Sequence, residues 1–501
     1  MAEEHFDVLI VGAGLSGVGA ACRLRQRCPG KSFAVLEARG AIGGTWDLFR
    51  YPGIRSDSDM FTLGYRFEPW RAGKAIADGE SIRAYIQTTA EEHRVEQKIR
   101  YGQRAVRADW DSAQARWTVE VETTGGERRE VSCRFLYWCS GYYTYDRGFC
   151  PRFDGSERYR GQIIHPQSWP QDLECMGKRI VVIGSGATAV TLVPSLAERA
   201  AHVTMLQRSP SYIVSLPAEE ALAEKLRRLR VPAQVAYEVV RWKNTLRQTL
   251  FYGLSRWRPE LVKKLIRKGL EVQLPDGFDI ERHFTPSYEP WDQRLCLVPD
   301  GDLFKALRGQ RTSIVTDRIE TFTESGLRLV SGRELEAEIV VTATGLNLEL
   351  FGGATLVVDG REVELSRTVA YKGTMLSGVP NMAMALGYTN ASWTLKCDLI
   401  AEYVCRLLRY MDEHGYSHCI PREPDAGQER TPILDLKSGY VLRAIEWLPK
   451  QGSRPPWRLH QNYFRDVRAF RRARLDDEGL SFHRAPGPSI APRAHALGVH
   501  A

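Results

Sequence analysis

Gly12, Gly14 and Gly17 stand at the spacing Gly-x-Gly-x-x-Gly, between the apolar run "FDVLIV" and a small-residue stretch of helical period. The first glycine permits a tight turn, the second lets the backbone approach a pyrophosphate, and the third lets the helix pack on the strand. Free N–H groups and the helix dipole then face the phosphates. Glu37 closes the next strand, "SFAVLEARG", where a carboxylate accepts from ribose hydroxyls. Gly184-Ser185-Gly186-Ala187-Thr188-Ala189 repeats the arrangement after "KRIVVI", with alanine in third place. Its following strand ends in Gln207-Arg208-Ser209 rather than an acid. Arg208 would attract a 2′-phosphate and Ser209 could donate to it, which favours NADP(H) over NAD(H). The first cradle lies at the N-terminus, the usual place for FAD in flavin enzymes. Both cradles in one chain imply electron flow from NADPH to FAD.

Those electrons need an acceptor. A redox-active disulfide would require a close cysteine pair, and none follows either glycine turn. Dioxygen is the other main acceptor.

Two β-turn-α-β units position the cradles, so an α/β fold with two Rossmann-like dinucleotide-binding domains is expected. The spacing predicts a hairpin in "RWTVEVETTGGERREVSCRFLYWCSG", turning at Gly125-Gly126 and followed by a buried strand. "SIVTDRIETFTESGLRLVSGRELEAEIVVTATG" predicts a short meander leading to another buried strand. Residues 216–290 have helical period and form an expected insertion in the second domain. Within it, residues 221–270 hold thirteen Lys/Arg against three Asp/Glu, with Trp242, Phe251, Tyr252 and Trp257 interleaved. A solvated basic face is the plainer reading, and peripheral contact with a membrane or a partner is the other. No nucleic-acid-binding fold is visible, so nucleic acid is not an expected partner. The expected division is an FAD domain over 1–150, a linker over 151–175, an NADP domain over 176–333, the second part of the FAD domain over 334–485, and a disordered tail over 486–501.

The 501 residues suit two or three domains, and 43% apolar with 26% charged residues is globular composition. The N-terminus lacks the basic start and cleavage site of a signal peptide, and no apolar run reaches membrane-spanning length. The ten cysteines fit no metal-ligand spacing and read as reduced thiols, so a cytoplasmic location without a metal site is expected. A net charge of +8 permits an anionic cofactor or a membrane surface and requires neither.

"GGTWDLFRYPGIRSDSD" (Gly43 to Asp59) resembles the fingerprint of class B flavoprotein monooxygenases of the Baeyer–Villiger type, in Gly43, Gly44, Trp46, Tyr51, Pro52, Gly53 and Asp57. "YRGQIIHPQSWP" resembles their second signature through Tyr159, Gly161, His165, Trp169 and Pro170, with Tyr in place of the usual Phe. "TATGLN" (Thr342 to Asn347) resembles a third marker, a strand end near the flavin domain. "EPWDQRLCLVP" and "GYTNASWTLK" extend the likeness over nearly the whole chain.

The resemblance implies a flavin monooxygenase that uses NADPH and O2. It would insert oxygen beside a ketone carbonyl through a C4a-peroxyflavin, giving an ester or lactone, and would also oxidise sulfur in sulfides or thioamides. The alternative is an S/N-oxidising or long-chain alkane-associated enzyme with little ketone activity. A non-catalytic flavin sensor is the reading from another class. Arg294 matches the family's catalytic arginine, and Asp57 the carboxylate that orients it. Ser16, Glu37, Gly44, Thr45, Trp46, Asp47 and Asp57, with the backbone near Ala105, are the implied FAD contacts; Arg55 and Ser56 lie by the nicotinamide. Most relatives carry Lys before the catalytic Arg, and this chain has Gln293. Discrimination for NADPH then rests more heavily on Arg208 and Ser209. His165 and Trp169 fall between the two cradles and read as a hinge, with Trp169 anchoring it by burial.

Overall fold

The computed structural model describes residues 4–484; the expected tail over 486–501 lies outside the described residues. The chain opens with β1 (His5–Val11), whose last four residues are buried, and runs through α1 (Leu15–Arg27) to β2 (Phe33–Leu36). Three helices follow, α2 (Thr45–Leu48), α3 (Met60–Leu63) and α4 (Gly79–Glu92), before the short β3 (Ile99–Arg100). β1, β2 and β3 pair in parallel. β4 (Gln103–Asp111), β5 (Arg116–Thr123) and β6 (Arg128–Trp138) form an antiparallel meander, and β6 also lies parallel to β1. The expected hairpin is therefore present, with Gly126 at φ +80° in its turn.

The second sheet is wholly parallel, as its near-continuous apolar strands require. It begins with β7 (Gln162–Ile164), β8 (Arg179–Ile183), α5 (Ala187–Ala197) and β9 (His202–Gln207), after which β10 (Ile213–Leu216) lies outside this sheet. The insertion follows as α6 (Ala221–Arg228), α7 (Ala233–Trp257), α8 (Pro259–Gln273) and α9 (Ile280–Phe284). The chain returns through β11 (Cys296–Pro299), α10 (Asp302–Arg308) and β12 (Thr312–Thr316). The predicted meander is β13 (Ile319–Phe322), β14 (Gly326–Leu329) and β15 (Glu334–Glu336), and it leads into the fully buried β16 (Ile339–Thr342). The strand order is β12-β9-β8-β16-β7.

Two segments sit elsewhere than the sequence division placed them. β7 comes from the expected linker, and β16 from beyond residue 333, yet both are strands of the second sheet. The chain re-enters the first sheet only afterwards. β17 (Thr355–Val358) and β18 (Arg361–Glu362) extend it past β4, and Met382–Met384 pairs with β6. The second domain is thus inserted in the first. The two crossings run side by side: Tyr143 bridges Leu348 in antiparallel fashion, the Thr144 N–H donates to Asn347 O at 3.0 Å, and the Phe149 N–H to Gly345 O at 3.0 Å.

The long helix α11 (Trp393–His414) covers the first sheet and packs on α1, where buried Arg23 pairs with Asp398 at 2.8 Å. All ten cysteines are free thiols.

Candidate functional site

Both glycine cradles adopt the geometry their spacing requires. Gly12 has φ +104°, and a Cβ there would lie 2.7 Å from Cys139 O. Gly184 has φ +143°, and its Cβ would lie 2.4 Å from Ala343 O. Each first glycine thus turns against the end of a neighbouring strand, β6 in one sheet and β16 in the other. A Cβ on Gly17 would come within 1.8 Å of Gly12 O, so that position holds the helix against the turn. Around Gly186, by contrast, nothing lies within 4 Å, which leaves the approach to the backbone open. α1 and α5 begin at Gly14 and Gly186 with no side-chain cap and no acid in the first turn. Their first N–H groups are therefore free for an anion, and the residues present fit two dinucleotides.

Glu37 ends β2 with only 4% exposure, its carboxylate accepting from the N–H groups of Ala13 (2.7 Å) and Arg39 (2.9 Å). Burial raises its pKa against those bonds. Ala105 is buried in β4 beside a break in the register of its pairing with β5. Thr45 and Trp46 form the start of α2 directly after Gly44, which has φ +57° and lies against Gly14. Asp47, expected at the cofactor, is 3% exposed and engaged by Arg39 (2.7 Å), Arg50 and Arg83 (3.8 Å). These ion pairs hold the turn after Gly44 together.

The Tyr-Pro-Gly stretch docks one domain on the other. Tyr51 is buried in the core of the second domain, and a Cβ on Gly53 would strike Ser195 Oγ of α5 at 2.0 Å. Arg55 forms an ion pair with Asp302 at the start of α10, while Ser56 is buried and accepts from the Ser58 N–H at 2.9 Å. At the second cradle, Ser185 Oγ bonds Ser211 Oγ at 2.9 Å. Arg208 and Ser209 follow β9 directly and are exposed, and Arg208 has no ion-pair partner among the described residues. Replacing Arg208 with alanine is expected to raise KM for NADPH about tenfold, the value of one charge-assisted contact, with little change for NADH. Steady-state kinetics with both nucleotides measure this, and an unchanged preference would separate Arg208 from the 2′-phosphate.

Asp57 and Arg294 meet across a cavity of about 370 Å³ between the domains and the insertion. Their closest approach is 3.5 Å, and each side chain is partly exposed. Arg294 makes no hydrogen bond among the described residues, so its donors remain available to a ligand. Burial works against the guanidinium charge, but the oxygens of Tyr142, Asp57, Tyr440 and Tyr143 more than offset it and push the pKa up. Tyr142 stacks on Trp393 at 5.0 Å, and Trp393 Nε1 donates to Ser16 Oγ at 2.9 Å. The "GYTNASW" loop therefore lies beside the first cradle, and its Thr389 and Asn390 line the cavity. Burial, with Asp57 adding, pushes the Cys296 thiol up to about 12, so it offers no thiolate beside Arg294.

Several residues that shape this site carry no motif. Asp59 caps α3 and accepts from Asn244 Nδ2 (3.0 Å) and Gln248 Nε2 (3.1 Å) of α7. Buried Arg241, also on α7, donates to the carbonyls of Phe61 and Gly64, both at 2.8 Å. The insertion is thus tied to the chain just after Asp57. Asp292, two residues before Arg294, is clamped between Arg256 (3.0 Å) and Lys437 (2.9 Å). The one available signal was the polar stripe Arg241, Asn244, Gln248 at helical spacing in a segment otherwise read as a basic face.

His165 lies at the crossing. Its Nδ1 accepts from the Gln167 N–H (3.2 Å), so Nε2 carries the proton and donates to Gly345 O (3.1 Å). A Cβ on Gly148 would overlap the ring, which therefore wedges the two crossing strands together. Trp169, expected to be buried, is only partly so and packs on the edge of the second domain's core. Burial lowers the His165 pKa, with the Gly345 bond partly opposing, and burial lowers those of His283, His418 and His460 too. The unfolded chain then takes up these protons first. Their stabilisation is full above the unfolded value near pH 6.5 and is lost as pH falls through the folded values. Thermal unfolding is expected to show a Tm falling from about pH 7 to about pH 5, and His165→Asn should lessen that fall by about a degree or two.

Residues 10–69 match the model of an NAD(P)-binding Rossmann-like domain, and residues 76–260 that of the flavin-binding monooxygenase-like family. The chain is 57% identical over 486 residues to the FAD-containing monooxygenase EthA of Mycobacterium tuberculosis, covering 97% of this chain and 99% of that one. It is 48% identical to a probable FAD-binding monooxygenase, AlmA, of Acinetobacter baylyi, with 96% of each chain covered. Among solved structures, an oxidized steroid monooxygenase bound to NADP superposes with a TM-score of 0.75 at 22% identity, covering 96% of this chain and all of the other. An open cyclohexanone monooxygenase gives 0.71 at 18% identity, covering 84% and 91%. These two share the fold.

Proposed function

This chain belongs to the class B, FAD-containing flavin monooxygenases, and on that premise we propose that it oxygenates ketones to esters or lactones with NADPH and O2, and oxidises sulfur in sulfides or thioamides. The observation that carries this reading is the Arg294–Asp57 pair on the wall of the cavity between the domains. When bound, FAD supplies the two-electron reduction of dioxygen with electrons from NADPH.

The rest falls to side chains of this chain. Negative charge builds on the carbonyl oxygen as a ketone is attacked, and a fixed cation in a shielded cavity stabilises it. Arg294 suits that task because it stays charged and keeps free donors. Asp57 holds the guanidinium in register, and the Asp292 clamp fixes the loop that carries it. Val214, Leu216, Leu295 and Leu297 give the cavity an apolar wall that excludes water.

Product analysis with a linear ketone and a thioether tests the proposal. An ester from the ketone is the expected result. Sulfoxide alone would favour the S/N-oxidising alternative, and NADPH-driven release of hydrogen peroxide with neither product would overturn both.

A further inference from the structure

α7 is apolar on more than one face. Its buried face mixes Tyr237 and Val240 with the polar Arg241, Asn244 and Thr245, each at most 3% exposed, whereas a surface helix ordinarily buries its apolar side and turns a polar one outward. Its outward face carries Val235, Val239, Trp242, Leu246, Leu250 and Trp257, which are 39–73% exposed. At 100° per residue these six fall within about 80° of the helix surface, a single stripe along its length. α8 continues the feature with Leu261, Leu265 and Val272, which are 47–77% exposed. Apolar side chains exposed in a row, rather than singly, mark an interaction surface.

The charges beside the stripe point to its partner. Lys264 and Lys268 have no ion-pair partner among the described residues, and they flank Leu261 and Leu265. The guanidinium of Arg258 lies over the Trp257 ring at 4.8 Å. The nearby acids are already engaged: Glu238 with Arg66, Glu260 with Lys263, and Glu271 with Arg267. An apolar stripe with basic edges and amphipathic tryptophans is the composition that lies in the headgroup region of an anionic membrane. A second copy of this chain fits worse, because a two-fold contact would set the free cations against one another.

We propose that the outward face of α7 and α8 docks on an anionic lipid bilayer. A third face of α7, through Lys243, Gln248 and Phe251, lines the cavity that holds Arg294. Docking would therefore place the bilayer about one helix diameter from the cavity, on the side from which an apolar substrate leaves a membrane. The docking itself does not depend on the oxygenation reading, and its test reads binding alone.

The test is flotation of the FAD-loaded full chain with vesicles of phosphatidylglycerol or of phosphatidylcholine. The chain should float with phosphatidylglycerol, release at high salt, and shift its tryptophan emission to the blue. The paired substitutions Leu246→Gln with Leu250→Gln, and separately Lys264→Glu with Lys268→Glu, should each weaken binding about tenfold or more. These positions are exposed, and circular dichroism and Tm verify that each variant is folded. The proposal fails if the chain does not bind phosphatidylglycerol vesicles, or if both variants bind as the parent does. It fails equally if the parent is a lipid-free dimer that the leucine substitutions convert to monomer, since the stripe would then be covered by a second copy.

Discussion

Arg294→Ala is expected to lower ester formation from a ketone by about 10²–10³-fold while NADPH oxidation and oxygen uptake continue. The electrons should then leave as hydrogen peroxide. The reasoning is local. Arg294 is a permanently charged donor on the cavity wall, it contacts Asp57 at 3.5 Å, and none of its N–H groups is committed elsewhere among the described residues. Its removal deletes stabilisation of the developing oxyanion without touching either cradle. Asp57→Ala should cost less, about tenfold, because the clamp at Asp292 still fixes the loop. Parallel assays of product, peroxide and NADPH separate the steps. Ester formation at the parent rate in Arg294→Ala would remove the arginine from the mechanism.

Gly17→Ala is expected to release FAD and to lower Tm, since its Cβ would sit 1.8 Å from Gly12 O and the helix must move off the turn. Overpacking alone costs about 1–3 kcal/mol, and the displaced N–H groups no longer meet the pyrophosphate. Flavin absorbance after gel filtration and thermal unfolding report the two losses. Gly186→Ala is the matched control. Nothing lies within 4 Å of that Cβ, so Tm and bound flavin should hold while KM for NADPH rises. Full FAD retention in Gly17→Ala would show that the first turn tolerates displacement, and that the cradle binds in another way.

Both cradles and their strands were legible because their information is local. A tight turn needs Gly12 where φ is positive, and a buried parallel strand needs an unbroken apolar run such as that of β8. The meeting of Asp57 and Arg294 is not local. It depends on how an inserted domain closes on its host, and only the likeness of motifs anticipated it. Asp59, Arg241, Asn244 and Gln248 escaped for the same reason: a polar side chain on a basic helix does not reveal which carbonyl it will meet. β16 was assigned to the wrong side of a boundary because a buried strand looks alike in either sheet. The ion pairs of Asp47 were not legible because its neighbours Arg39 and Arg83 converge on it only after folding.

The insertion of one domain within the other also orders events during synthesis. All five strands of the second sheet lie between Gln162 and Thr342, so that unit is complete as soon as Thr342 has left the ribosome. The first sheet at that moment still lacks β17, β18 and the strand Met382–Met384, which pairs with Leu136–Trp138 where β6 runs past the end of β5. The N-terminal half must therefore wait, with a hydrogen-bonding edge exposed, while the middle of the chain folds ahead of it. Until the strand Met382–Met384 and then α11 emerge, the nascent chain keeps an unpaired edge and an uncovered sheet face open to aggregation, and the host domain, although begun first, is finished last.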